Sequence, residues 1–161
     1  MDNTEKNTYV KKQLTSALLK LLETKELREI SVSEIAEAAG VHRVSFYRNY
    51  TEKEDILREH IKATYGDWVL TYHSEMEPIP ALFDYLMEYA PLYRLLHRRR
   101  LLPLFKGVLF DSIGPRPEYE NPAAYATAFF ANGVYGWIEE WVARGMQESA
   151  EELAEMMKQG Q

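Results

Sequence analysis

The sequence predicts an all-α protein: an N-terminal three-helix bundle containing a helix-turn-helix, followed by a second helical domain. Three observations carry that expectation. Apolar residues recur at the spacing of one helical face along most of the chain, polar residues stand at helix starts in the pattern of capping boxes, and no alternating strand pattern, internal repeat or low-complexity tract interrupts them.

The first helix is expected from about Thr8 to Lys25, where Val10, Leu14, Ala17, Leu18, Leu21 and Leu22 form one stripe. Ser31 and Glu34 make a capping box for the second helix, and Ile30 and Ile35 stand at the two positions of a hydrophobic staple. Gly40 ends that helix, where a left-handed residue is usually required. His42 then takes the cap position of a third helix, Arg43 to Asn49, with Phe46 and Tyr50 facing inward. Thr51 and Glu54 read as a second capping box, opening a long helix that runs toward Pro78. Beyond Pro80, helices are expected over Ala81 to Glu88, Pro91 to Leu101 and Leu104 to Ser112. Gly114 to Asn121 reads as a loop, with Asn121 as the cap and Pro122 at the start of a long helix to about Arg144. Ser149 and Glu152 form a third capping box for a last helix to about Lys158.

Composition bounds the chemistry. The 161 residues carry a net charge of −6 and no cysteine, which removes disulfide frameworks, thiolate metal sites and cysteine nucleophiles. The four histidines have no metal-ligand spacing, no glycine-rich phosphate loop occurs, and no Ser-His-Asp grouping can be argued, so neither an enzyme, a cofactor nor a metal is expected. The polar N-terminus lacks the apolar run of a signal peptide, and no segment is apolar enough to span a bilayer; a cytoplasmic protein without membrane contact is expected.

The acidic excess is unevenly placed. Residues 1–60 hold 10 Lys/Arg against 11 Asp/Glu, and the remainder 9 against 14. Inside Ala38 to Tyr50 no acid occurs at all, and the charges are Arg43 and Arg48. A helix, a short glycine-containing turn and a second helix form the unit that lays its second helix in the major groove of DNA. Arg43 can donate two bonds to a guanine edge, Val44 can pack on a thymine methyl, and Ser45 can bond bases or phosphate. His42 and Arg48 belong to the same outer set. Tyr47, Asn49 and Lys53 read as phosphate contacts, as do Ser31 and Ser33 at the start of the preceding helix. The division expected is a DNA-binding domain at 1–55 and a regulatory and dimerisation domain at 56–161.

From Glu29 through the Ile-Ser-Val-Ser-Glu-Ile-Ala, Ala-Ala-Gly-Val and Phe-Tyr-Arg-Asn-Tyr segments to Leu57, the chain resembles the N-terminal signature of the tetracycline-repressor-like (TetR/AcrR) transcriptional regulators, over about Tyr9 to Ile61. The resemblance implies a three-helix DNA-binding domain on a helical domain that dimerises through its last two long helices, with phosphate contacts at Tyr47 and Lys53. Val44, Asn49 and Tyr50 stand where the family often has a small residue, His and Phe. Gly133 to Leu153 is similar to the C-terminal pattern of a subgroup with a short C-terminal domain.

The long helix after Pro122 is apolar nearly all round, so a second copy of the chain is expected to cover its outer face, with Gly133 and Gly136 allowing close approach. Phe130, Gly133, Trp137 and Trp141, with Leu153 and Met157 of the last helix, are the expected interface. Family members often bind a small effector in the C-terminal domain, which makes Trp68, Tyr72, Tyr89, Tyr93 and Phe105 candidate ligand contacts, although aromatics at helical spacing are more often core. The functional expectation is a dimeric, sequence-specific regulator, a repressor on a palindromic double-stranded operator, with release by a small effector, control by a protein co-regulator, or no effector left as alternatives. The competing reading is a helical ligand- or protein-binding module, a co-regulator with a vestigial helix-turn-helix.

Overall fold

The computed structural model describes residues 3–72 and 77–159. Among the described residues the chain forms nine α-helices and no strand: α1 (Asn3–Leu22), α2 (Val32–Ala38), α3 (Arg43–Tyr47), α4 (Lys53–Thr71), α5 (Pro78–Glu88), α6 (Ala90–Arg98), α7 (Pro103–Ile113), α8 (Asn121–Ala143) and α9 (Ala150–Gln159). The all-α expectation holds. Two compact units divide the chain, the first ending at Ala63 and the second starting at Thr64, so the division falls inside α4. The expected run of the α4 pattern through 73–76 lies outside the described residues.

The first unit is closed by the apolar stripes of its helices. Leu14, Leu18 and Leu22 of α1, Ile35 of α2, Phe46 of α3, and Ile56, Leu57 and Ile61 of α4 are all fully buried. Burying each such side chain is worth about 1.5–3 kcal/mol, which is what holds helices as short as α2 and α3 in place. The α2 capping box is present in both directions: Ser31 Oγ accepts from the Glu34 N–H at 3.1 Å, and the Ser31 N–H donates to the Glu34 carboxylate at 3.4 Å. Both residues of the expected staple, Ile30 and Ile35, are buried.

Several ends differ from the sequence reading. α1 begins earlier and stops at Leu22, and a 3-10 turn at Leu27–Glu29 precedes α2. The start of α4 is capped by Asp55, not Glu54: its carboxylate accepts from the N–H groups of Thr51 and Glu52 at 3.0 and 2.9 Å, and these bonds together with Arg58 hold it below the usual carboxylate range. Asn121 is the first helical residue of α8, and Glu120 occupies the cap position. The third capping box is present, with the Ser149 N–H donating to Glu152 at 2.8 Å and the Glu152 N–H to Ser149 Oγ at 3.2 Å.

In the second unit α5 packs on α9 and α6, while α6 and α7 pack on α8. Its core is strongly aromatic. Tyr65, Tyr85, Tyr93 and Phe105 meet edge to face, with ring centroids 5.0–6.1 Å apart. The buried hydroxyls satisfy one another: Tyr85 and Tyr93 are bonded at 2.9 Å, and Thr64 reaches Tyr85 at 3.1 Å. Burial pushes the Tyr93 phenol well above its ordinary pKa, so this network stays neutral. α8 is divided along its length. Its second half buries Val134, Tyr135, Ile138, Trp141 and Val142, whereas Tyr125, Phe129 and Phe130 of the first half are exposed.

Candidate nucleic-acid interface

The turn between α2 and α3 is built from backbone bonds. Gly40 adopts φ +65°, which no β-carbon favours, and the chain reverses with the Gly40 N–H on the Glu37 carbonyl and the Val41 N–H on the Ala36 carbonyl, both at 3.0 Å. His42 then caps α3: its Nδ1 accepts from the Val44 N–H at 3.3 Å. In that arrangement the neutral ring carries its proton on Nε2, leaving a donor on an exposed side chain.

α3 has an inner and an outer face. Phe46 is fully buried and Tyr50 nearly so; burial, with the charge of Glu59 adding to it, pushes the Tyr50 phenol up to about 12. Arg43, Val44, Tyr47 and Arg48 point outward, Val44 and Tyr47 with 48% and 54% of their surface exposed. Exposure of that much apolar surface is costly in water and is what a groove-reading face requires. The Arg43 guanidinium lies over the Tyr47 ring, 5.5 Å from its centroid.

Not every expected contact is equally free. Asn49 is half-buried and its amide donates to the Ser45 carbonyl at 2.8 Å, closing the end of α3. Ser31 Oγ is occupied as the α2 cap, while Ser33 beside it is exposed. Lys53, expected as a phosphate contact, is also bound within the unit: its ammonium donates to the carbonyls of Leu27 and Ile30, each at 2.6 Å. An ammonium has three donors, so one remains for a phosphate. The sequence carried no sign of this bridge, because its acceptors are backbone atoms more than twenty residues away.

Comparison with known proteins agrees with this geometry. Residues 14–60 match the family model described as "Bacterial regulatory proteins, tetR family", and residues 75–160 match that of a "Transcriptional regulator C-terminal region". The chain belongs to the TetR family of transcriptional regulators. Proteins of this family bind DNA, typically as dimers, and often take a small-molecule effector. No curated protein matches the chain. Among solved structures it is similar to the dihydroxyacetone kinase operon activator DhaS, with a TM-score of 0.57 and 17% identity over 93% of this chain and 92% of that one, a likeness of fold.

The candidate residues of the second unit are separated by the structure. Tyr93 and Phe105, expected among the ligand contacts, are fully buried in the packed aromatic core; Trp68, Tyr72 and Tyr89 are half-buried. Trp141 and Leu153, expected at an interface, are 2% and 3% exposed within their own unit. Trp141 is fixed by an edge-to-face contact with Phe83 at 5.1 Å and by its indole N–H on the Glu148 carbonyl at 3.2 Å. Phe130 and Gly133 are exposed, and Trp137 and Met157 are half-buried. Phe129, part of the nearly all-round apolar pattern of the long helix and one helical turn before Gly133, is 84% exposed, and Met156 of the last helix is 45% exposed. A groove of about 520 Å³ runs along this side, lined by Gly133, Gly136, Trp137, Leu153 and Met156 among others. No helix of the described residues is long and apolar enough to cross a membrane.

Proposed function

We propose that this TetR-family regulator acts in the cytoplasm as a homodimeric repressor of a near-palindromic operator, with α3 of each copy in the major groove. The outward face of α3 is the observation that carries the reading: Arg43, Val44, Tyr47 and Arg48 are displayed together on a helix anchored by Phe46. Arg43 donates to a guanine edge, Val44 and Ser45 meet neighbouring base edges, and Tyr47, Arg48, His42 and Ser33 hold the backbone, with the remaining donors of Asn49 and Lys53 and the Ser31 hydroxyl beside them. A vestigial helix-turn-helix has no reason to keep such a face free of acids.

Dimerisation is supported by the exposed Phe129 and Phe130, the glycines at 133 and 136, and the groove beside them. A two-fold pair is also what a palindromic site demands, with reading helices about 34 Å apart. Repression follows from occupying a promoter. A small effector is taken at the accessible rings of Trp68, Tyr72 and Tyr89 and changes the spacing of the two reading helices.

Footprinting on the DNA upstream of the protein's own gene tests the reading. Two protected half-sites related by a dyad, one helical turn apart, are expected. Protection of a single asymmetric site, or none, would refute it.

A further inference from the structure

We propose that Tyr47 is a positioning residue for base recognition: its ring holds the Arg43 guanidinium in the orientation from which it reads DNA. The inference rests on the DNA-binding reading above and adds to it a role for the ring, distinct from any phosphate bond made by the hydroxyl.

The contacts form a chain from core to surface. Phe46 is fully buried, and the Tyr47 ring stands edge-on to it, with centroids 5.2 Å apart and planes at 86°. The Arg43 guanidinium carbon lies 5.5 Å from the Tyr47 centroid, within the range of a cation–π contact. Residues 43 and 47 are one turn apart on α3, so the stack stays on the outer face. Among the described residues no carboxylate pairs with Arg43, which leaves the ring as the partner that orders it. An arginine side chain is costly to immobilise, because it has many rotamers to lose. A stack that has already restricted those rotamers lowers that cost when the planar fork meets a guanine edge.

Ring and hydroxyl are separable by substitution. Tyr47→Phe keeps the ring and removes the hydroxyl, whereas Tyr47→Leu removes both at an exposed position that tolerates leucine in a helix. The experiment measures affinity for the preferred operator and for a panel carrying each single base-pair change. In parallel, nuclear magnetic resonance on the free proteins reads the side-chain proton shifts of Arg43. The wild type and Tyr47→Phe should show Arg43 shifts displaced upfield by the ring current, and Tyr47→Leu should not. Tyr47→Phe should weaken all sequences alike and retain base discrimination. Tyr47→Leu should lose about two- to fivefold of the discrimination at the one base pair that also responds to Arg43→Ala, and at no other. Equal discrimination in the two Tyr47 variants, or a loss spread evenly over the site, overturns the proposal. A wild type that discriminates nowhere overturns the DNA-binding reading and this role with it; a failure of positioning alone is told apart because the wild type then still prefers its operator. If Tyr47→Leu does not fold, Tyr47→Gln serves, with the same expectations.

Discussion

The ammonium of Lys53 lies 2.6 Å from the carbonyl oxygen of Ile30, tying the first residue of α4 to the residue just before the α2 cap. A second bond of equal length to Leu27 completes the bridge. Hydrogen bonds from a charged donor contribute about 1.5–3 kcal/mol, so Lys53→Met should destabilise the first unit by about that amount. It should also weaken binding to every DNA sequence alike, because it displaces the α2 start without touching a base. Thermal denaturation of the variant beside the wild type checks the first outcome; an unchanged midpoint would return Lys53 to a purely external role.

The exposed half of α8 predicts where the proposed dimer breaks. Phe129 is 84% exposed in the single chain, so Phe129→Glu should leave the helical content intact and yield monomers in sedimentation. Trp141→Glu places a charge in a buried site and should instead unfold or aggregate the second unit. A dimeric Phe129→Glu protein would move the interface elsewhere.

Two left-handed positions should respond with opposite signs. Gly40 at φ +65° has open space where a β-carbon would stand, so Gly40→Ala costs backbone strain alone, about 1–2 kcal/mol. Arg100 adopts φ +58° after α6, with the Leu101 N–H on the Leu96 carbonyl at 2.7 Å, a helix end that glycine fills better. Arg100→Gly should stabilise by about 0.5–1 kcal/mol. Denaturant titration of both variants checks the pair.

Most of this fold is legible in the sequence, and the parts that are not share a physical cause. Ser31–Glu34 and Ser149–Glu152 were readable because capping boxes are local: both partners lie within four residues and compete with little else. Gly40 and the inward Phe46 followed from turn chemistry and helical spacing for the same reason. The cap of α4 was misplaced by one residue because Glu54 and Asp55 both stand within reach, and only backbone geometry selects Asp55. The internal partners of Lys53 and Trp141, the Ile30 carbonyl and Phe83, are not legible in the sequence because they are distant in it. Periodicity gave α8 two apolar faces; it could not say which one its own chain covers.

His60 predicts a pH dependence. Burial holds its imidazole below the ordinary value of 6.5, in a cleft it shares with Lys11, Lys12, Tyr50 and Glu59. Because the folded pKa is depressed, the unfolded chain takes up this proton first as pH falls. The His60 contribution is therefore absent above neutrality and becomes destabilising as pH drops through 6.5. His60→Gln should narrow the difference in denaturation midpoint between pH 7.5 and 5.5. An unchanged difference would place the titration elsewhere.

Salt-dependent binding tests most directly whether α3 reads DNA with Arg43. Affinities of wild type and Arg43→Ala would be measured for the footprinted operator and for unrelated DNA of equal length, across a series of salt concentrations. The wild type should prefer its operator and lose affinity steeply with salt, with a slope of about −0.9 for each phosphate contacted. Arg43→Ala should lose about 1–3 kcal/mol on the operator while binding unrelated DNA much as before. Equal, weak and salt-insensitive binding of the wild type to both DNAs would contradict the claim.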